Sequence, residues 1–480
     1  MATRSWTGDG ADALASTTGN WDTGTPVAGD SVTFPGVGGG SPNKNCTWDV
    51  TAGLDTLSMN GYTGVVTQTS ALNLTSTTGS FTQNTGTWDS NGQTNDIKSL
   101  DLSGSGTKIL TAGASLWYVR GNLNMSGANT TFNYNTGKMY MAATGTLTMQ
   151  SGVEFYDLSF SNPGGSGSTI TFATDVVVNH TLDWGDAGSG SVTPNGNKIY
   201  AKGDVKCTNA SYPQGTTVVE FSGSAAQTLS AQGGGGAYGI SFIVNKSGNT
   251  LTIAASLIFG NNASSNTFTY TAGTVSVSAG TTKFYGTWNL NSGSGVVWDT
   301  LRIFDVGLGA RTVTLTGNLK TGALTIDANM TLSCGANTLT LTGNFTKNGT
   351  FTAATSTVNF NGTSTIAGAT TFKNLTLSPG STTTWTISQS FAITGALTML
   401  GTSGSHITIN SSSGGTKATW NLSGTQNASN DYVDVTDNDA SAGSKVYAGA
   451  NGTLSNTTNW GNAAPVVTTS IRPMMMLGVG

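Results

Sequence analysis

Charge is scarce in this chain of 480 residues: Asp, Glu, Lys and Arg together make up 9% of it, against about 25% in an ordinary soluble domain. Glu occurs only at positions 154 and 220, and Arg only at 4, 120, 302, 311 and 472. Glu, Lys and Arg are the usual surface residues of helices, so a mainly helical protein is excluded. The net charge of -4 comes with no basic stripe, which gives nucleic-acid binding no footing. Cysteine is limited to Cys46, Cys207 and Cys334. Their number and spacing fit neither a disulfide framework nor a metal site, and the expectation is three small buried thiols. Nine prolines and no three-residue glycine period exclude collagen. No apolar run reaches 18 residues, so no membrane helix is expected.

What fills the chain is polar and small. Ser, Thr and Asn occupy 177 positions and Gly 67, about half of the whole. Eleven Trp, 12 Tyr and 17 Phe set it apart from a disordered chain, which lacks aromatic residues to bury. Apolar residues alternate with polar ones almost throughout, as in Leu72-Asn-Leu74, Val313-Thr-Leu315 and Leu339-Thr-Leu341. That period of two predicts short strands with one face inward. Asn-Gly, Gly-Asn and Ser-Gly pairs between them supply the positive φ of tight corners.

A longer repeat lies over the alternation. Its clearest copy is Phe372-Lys-Asn-Leu375-Thr-Leu377, then Trp385-Thr-Ile387, then Phe391-Ala-Ile393-Thr-Gly-Ala-Leu397. Related copies carry Leu158 and Phe160, and Leu301 and Ile303, which with Leu375 and Leu377 are expected to point into a core. A second signature, Gly followed by Asn or Asp and an apolar residue, recurs at Gly121, Gly203, Gly317 and Gly343. Repeats of this kind indicate stacked units, none of which buries its apolar side alone. The expected fold is all-β, a right-handed parallel β-helix (β-solenoid) of irregular coils of about 20 residues. A string of β-sandwiches is the alternative, but it calls for linkers that the unbroken pattern lacks. Low charge suits the stack, because like charges about 4.8 Å apart in successive coils repel. Residues 1–50, with Trp6, Trp21 and Trp48, are expected to cap the first coil. The solenoid is expected over 51–445, with a C-terminal segment over 446–480 that ends in the apolar tail Met474-Met475-Met476-Leu477. That tail is a candidate assembly anchor.

Chemistry-bearing patterns are thin. The two histidines, His180 and His406, stand 226 residues apart, and there is no nucleophile elbow, phosphate loop or Cys/His cluster. No cofactor is expected. Among the acidic pairs, Glu154/Asp157 and Asp299/Asp305 read as solvated faces. Asp183 and Asp186 flank Trp184, a spacing that suits a sugar-stacking site. Asp434, Asp437 and Asp439 within Asp431–Asp439 present oxygens of the kind calcium takes, but without the Gly and closing Glu of an EF-hand loop.

The stretch Tyr432-Val-Asp-Val-Thr-Asp-Asn-Asp-Ala-Ser441, with Val446-Tyr-Ala448 and Asn456-Thr-Thr-Asn-Trp460, resembles a block that closes β-helical repeat proteins of tailed bacteriophages and bacterial surfaces. The opening Trp6-Thr-Gly-Asp-Gly10, Asn20-Trp21 and Pro26-Val-Ala-Gly-Asp30 is similar to the start of such proteins. The resemblance implies a virion surface protein: a tail fibre, a tailspike, or a capsid spike or decoration. It implies other virion proteins as partners, together with self-association as a homotrimer or other homo-oligomer, and host-surface glycan as a ligand. Nucleic acid and membrane are not expected partners. The start Met1-Ala-Thr-Arg-Ser-Trp6 has no signal-peptide run, which fits assembly in the host cytoplasm rather than the secreted bacterial adhesin, a further alternative. A non-catalytic role is expected. The contrasting class is a polysaccharide-cleaving tailspike, which needs two carboxylates about 5–9.5 Å apart.

Overall fold

The computed structural model describes residues 2–463 except 39, 75, 161–168, 185–190, 208–216, 232–235, 294 and 308, and the backbone alone at 261–264. Strand makes up 55% of the chain and helix 1%, in parallel coils that number about 18. The chain is a β-solenoid. It divides into two compact units, Met1–Asn318 and Leu319–Gly480.

In the N-terminal unit, one sheet stacks nine strands in parallel, from Thr3–Ser5 to Ser191–Thr193. A second stacks five, from Cys46–Trp48 to Thr130–Asn133. A third line of strands begins at Leu72–Leu74 and includes Leu116–Val119, Lys138–Met141, Phe155–Ser159 and Val176–Asp183. Inward positions fall in register, so that Leu57, Phe81, Leu100, Leu123, Leu147 and Phe172 form one buried column. In the C-terminal unit, Leu341, Phe360, Leu377 and Met399 do the same. Each such side chain contributes about 1.5–3 kcal/mol by leaving water. All six residues expected inside (Leu158, Phe160, Leu301, Ile303, Leu375 and Leu377) are fully buried.

Register also resolves the longer repeat. Phe372 pairs with Ile393 and Leu375 with Leu397, so the third piece of the repeat is the first piece of the next coil. A circuit takes 17 residues between Thr357 and Asn374 but 29 between Ala396 and Thr425. The difference lies in the corners. At two of them Asn91-Gly92 and Asn195-Gly196 take φ of 45° and 79°, and of 50° and 84°, the left-handed values that a two-residue turn demands.

The Gly-Asn/Asp signature joins coils. A side chain at Gly121 would collide with Lys98 O at 2.6 Å, and one at Gly203 with His180 O at 1.9 Å, so the backbone there presses on the preceding coil. The next residue reaches the following coil: Asn122 Oδ1 accepts from Thr146 N at 3.0 Å, and Asp204 Oδ1 from Thr228 N at 2.8 Å. Asn344 Oδ1 does the same for Thr365 N at 2.8 Å. Gly permits the close approach, and the Asn or Asp oxygen uses it.

The parallel ladder extends into both end segments that the sequence set apart. Thr3–Ser5 pairs with Ser31–Phe34, well before residue 51, and Val446–Tyr447 pairs with Trp460–Gly461, beyond residue 445. In the first coil Trp6 and Trp21 bridge antiparallel and meet edge to face at 5.3 Å, and both rings pack on Phe34. Arg4 and the Ala2 amide hold Asp30 at 2.8 and 2.9 Å.

The three thiols are buried and unpaired with one another. Burial pushes Cys207 and Cys334 up to about 12 and Cys46 well above its ordinary value. A thiolate is the reactive form. Ellman's reagent is therefore expected to label none of them in native buffer and all three in denaturant; rapid labelling of any one in the folded protein contradicts that placement.

Candidate functional site

The sugar-stacking reading of Asp183, Trp184 and Asp186 is corrected. Trp184 is 2% exposed and lies edge-on to Phe160 at 5.3 Å, so its ring belongs to the core. Asp186 lies outside the described residues, as do Met474, Met475, Met476 and Leu477. Asp183 points outward and joins a different constellation, described below.

The calcium reading of Asp434, Asp437 and Asp439 is corrected as well. Among the described residues, no three His, Cys, Asp or Glu side chains are placed to share a metal ion. Each carboxylate is instead used within the stack. Asp434 Oδ1 accepts from Thr453 N and Oγ1 at 3.0 and 2.7 Å, and its Oδ2 meets His406 Nδ1 at 2.9 Å. Asp437 accepts from Asn456 Nδ2 at 2.5 Å and Gly415 N at 2.8 Å. Asp431 accepts from Asn451 N and Nδ2 at 2.9 and 2.7 Å, and Asp439 from Ser441 N at 2.8 Å. Asp431, Asp434 and Asp437 clamp the last described coil onto the one before it, while Asp439 closes a local turn.

These carboxyls titrate below their ordinary values. For Asp437 the cause is the hydrogen bond from Asn456, and for Asp439 that from Ser441. For Asp431 and Asp434, burial pushes upward but the bonds from Asn451 and Thr453 outweigh it. A carboxyl depressed in the folded state stabilises above its unfolded value near 3.9 and loses that contribution as pH falls through its folded value. The terminal coil is thus expected to hold unchanged from pH 7 to about 4 and to loosen below about 4. Hydrogen exchange at residues 451–461, corrected for intrinsic rates, measures this; equal protection at pH 6 and pH 3 contradicts it.

The densest group of chemically active side chains lies on the third line of strands in the N-terminal unit. Two outward columns run there, Leu116–Lys138–Asp157–Thr181 and Asp96–Tyr118–Tyr140–Ser159–Asp183. The Tyr118 and Tyr140 rings stack at 4.8 Å and 17°. Arg120 grips Asp96 with two bonds, from Nε at 2.6 Å and from Nη2 at 2.7 Å. Lys138 Nζ lies 4.6 Å from the Tyr140 centroid and 3.3 Å from Asp183 Oδ2.

A register shift beside these columns adds more. Phe155 pairs with Val178 but Asp157 with Thr181, so Asn179 and His180 together face the single residue Tyr156. Bulges re-aim side chains. Here His180 stacks on Tyr156 at 4.4 Å and its Nδ1 meets Asp157 Oδ1 at 2.8 Å, while Asn179 Nδ2 donates to Glu154 Oε2 at 2.6 Å. Lys202 reaches Glu154 at 2.6 Å. Burial would raise Glu154, but Lys202 and Asn179 hold it below the usual carboxylate range.

Asp157 and Asp183 stand on adjacent coils, offset by two residues. Elsewhere in this unit an open groove of about 400 Å³, lined by Thr63, Thr85, Gly86, Thr87, Thr107 and Ile109, offers hydroxyls and methyls but no titratable group. Among the described residues no helix is long and apolar enough to cross a membrane. No protein-family model, no curated protein and no solved structure matches the chain.

Proposed function

We propose that the protein is a non-catalytic structural component of a phage virion, a rigid β-solenoid fibre, spike or decoration that binds host-surface glycan through the Tyr118/Tyr140 face. The observation that carries glycan binding is the pair of stacked outward tyrosines with two carboxylates, the Lys138 ammonium and the Arg120 guanidinium beside them. Aromatic rings take the apolar faces of sugars, while charged groups in fixed positions take hydroxyls. Parallel coils hold both without a mobile loop. The virion assignment rests on the similarity of the chain ends to phage β-helical proteins.

One observation favours a second reading, polysaccharide cleavage: Asp157 and Asp183 put two outward carboxylates on adjacent coils, offset by two residues, and glycoside hydrolases work with such a pair. Against it, the general acid of such a pair must keep its proton near neutral pH. Asp157 faces His180, Asp183 faces Lys138, and Glu154 is shifted downward. Binding without cleavage fits that arrangement better.

Glycan-panel binding tests the reading. Wild type is expected to bind a subset of bacterial surface glycans, and Tyr140→Ala to weaken that binding by up to about tenfold, the worth of one aromatic contact. Product release from a bound glycan, lost in Asp157→Asn, decides for cleavage instead. Mass spectrometry and immunogold labelling of purified particles test the location, and absence from virions overturns it.

A further inference from the structure

The column Tyr118–Tyr140–Ser159–Asp183 contains one small residue. Ser159 sits in register between a tyrosine and an aspartate, yet it is 1% exposed and its Oγ has no hydrogen-bond partner. One face of the Tyr140 ring is taken by Tyr118. Next along the column stand Ser159 and Asp183, and the position over Ser159 between Tyr140 and Asp183 is here called the slot. Lys138 fills it: its ammonium lies 4.6 Å from the Tyr140 centroid and reaches Asp183 two coils further on at 3.3 Å.

We infer that this slot is a subsite for the protonated amino group of a glycan, that is, for a de-N-acetylated amino sugar, and that Lys138 is its built-in competitor. The inference rests on the glycan-binding reading and names the sugar class. The occupant defines the chemistry: an ammonium over an aromatic face and against a carboxylate is how a cationic ligand is held. Although burial opposes its charge, Lys138 is held above its ordinary value, with Tyr140 and Asp183 outweighing that effect, so the slot favours a charged amine. A sugar amine in the same place puts neighbouring hydroxyls within reach of Ser159 Oγ, which has no partner now, and of Asp157. An N-acetyl group has no charge for Asp183.

The flexible Lys138 side chain must swing out before a ligand amine enters. If it occupies the slot nine-tenths of the time, apparent affinity is reduced about tenfold, and removing it restores that factor. The experiment compares a glucosamine oligomer with its N-acetylated counterpart by calorimetry, on wild type, Lys138→Ala and Lys138→Ala/Asp183→Asn. Circular dichroism and melting confirm that each variant is folded. The expected result is weak glucosamine-oligomer binding by wild type, about tenfold tighter binding by Lys138→Ala, and loss of that gain in the double variant. Equal affinity of Lys138→Ala for the two oligomers, or a gain that survives Asp183→Asn, overturns the slot. If Tyr140-dependent binding of other glycans persists while the amine preference is absent, the slot falls and the broader reading stands. If no glycan binds wild type or variant, both fall.

Discussion

Replacing Trp385 with alanine is expected to lower the stability of the C-terminal unit by about 3–5 kcal/mol, as truncation of a large buried aromatic does. The ring is fully buried and meets Trp420 at 4.5 Å and Phe391 at 4.7 Å, with Phe360 and Phe372 also in contact. Its Nε1 donates to Thr383 Oγ1 at 3.0 Å, and Thr383 is itself fully buried. The variant therefore leaves a void and a hydroxyl without that partner, and each carries a cost. Coils of a solenoid touch chiefly their neighbours, so the damage stays local. Hydrogen exchange should accelerate around residues 360–422 and remain at wild-type rates in the N-terminal unit. An unchanged denaturation midpoint for the C-terminal unit contradicts the packing described.

Lys246→Met is expected to be damaging for the opposite reason, the loss of a charge inside. Lys246 is 3% exposed, and its ammonium donates to Gly223 O and Ala225 O, both at 2.8 Å, and to Gln227 Oε1 at 2.5 Å. Lys108, fully buried, collects Gly104 O and Gly106 O at 2.5 and 3.0 Å in the same manner. These ammonium groups occupy glycine-containing corners where carbonyls converge, and burial lowers the affinity of both for their protons. Methionine keeps much of the stem but donates nothing. With hydrogen bonds to a charged group worth about 1.5–3 kcal/mol each, a loss of at least about 3 kcal/mol is expected. Thermal melting measures it, and a Met variant as stable as wild type shows that the ammonium is dispensable.

The fold was largely legible because a period of two survives wherever a strand has one face inside. The length of a coil was not: corners differ by many residues, as the circuits at Thr357 and Ala396 demonstrate, so no fixed spacing emerges. For the same reason the polar face was hidden. Lys138, Asp157 and Asp183 are distant in sequence, and only register brings them together. Trp184 was misread although the signal was present, since it shares parity with the inward Leu182. Lys246, two residues after the inward Val244, and Lys108, two before Leu110, stand on core parity too, and a lysine at such a position marks a buried corner cation. The aspartates of 431–439 resemble metal ligands in composition alone; strand and corner geometry directs Asp431, Asp434 and Asp437 to the neighbouring coil and Asp439 to its own turn.

The hydrogen bonds between coils point along the stacking direction, so tension on a unit's two ends loads its rungs one after another rather than together. A unit pulled in this way should come apart as a spool unwinds, one loop at a time from whichever end is less firmly held. Circuits of 17 and 29 residues then release roughly 55 to 105 Å of chain per event, at about 3.3–3.6 Å per residue. The aspartate clamp makes the last described coil a catch. Its force threshold falls in acid, while the length of each step stays the same.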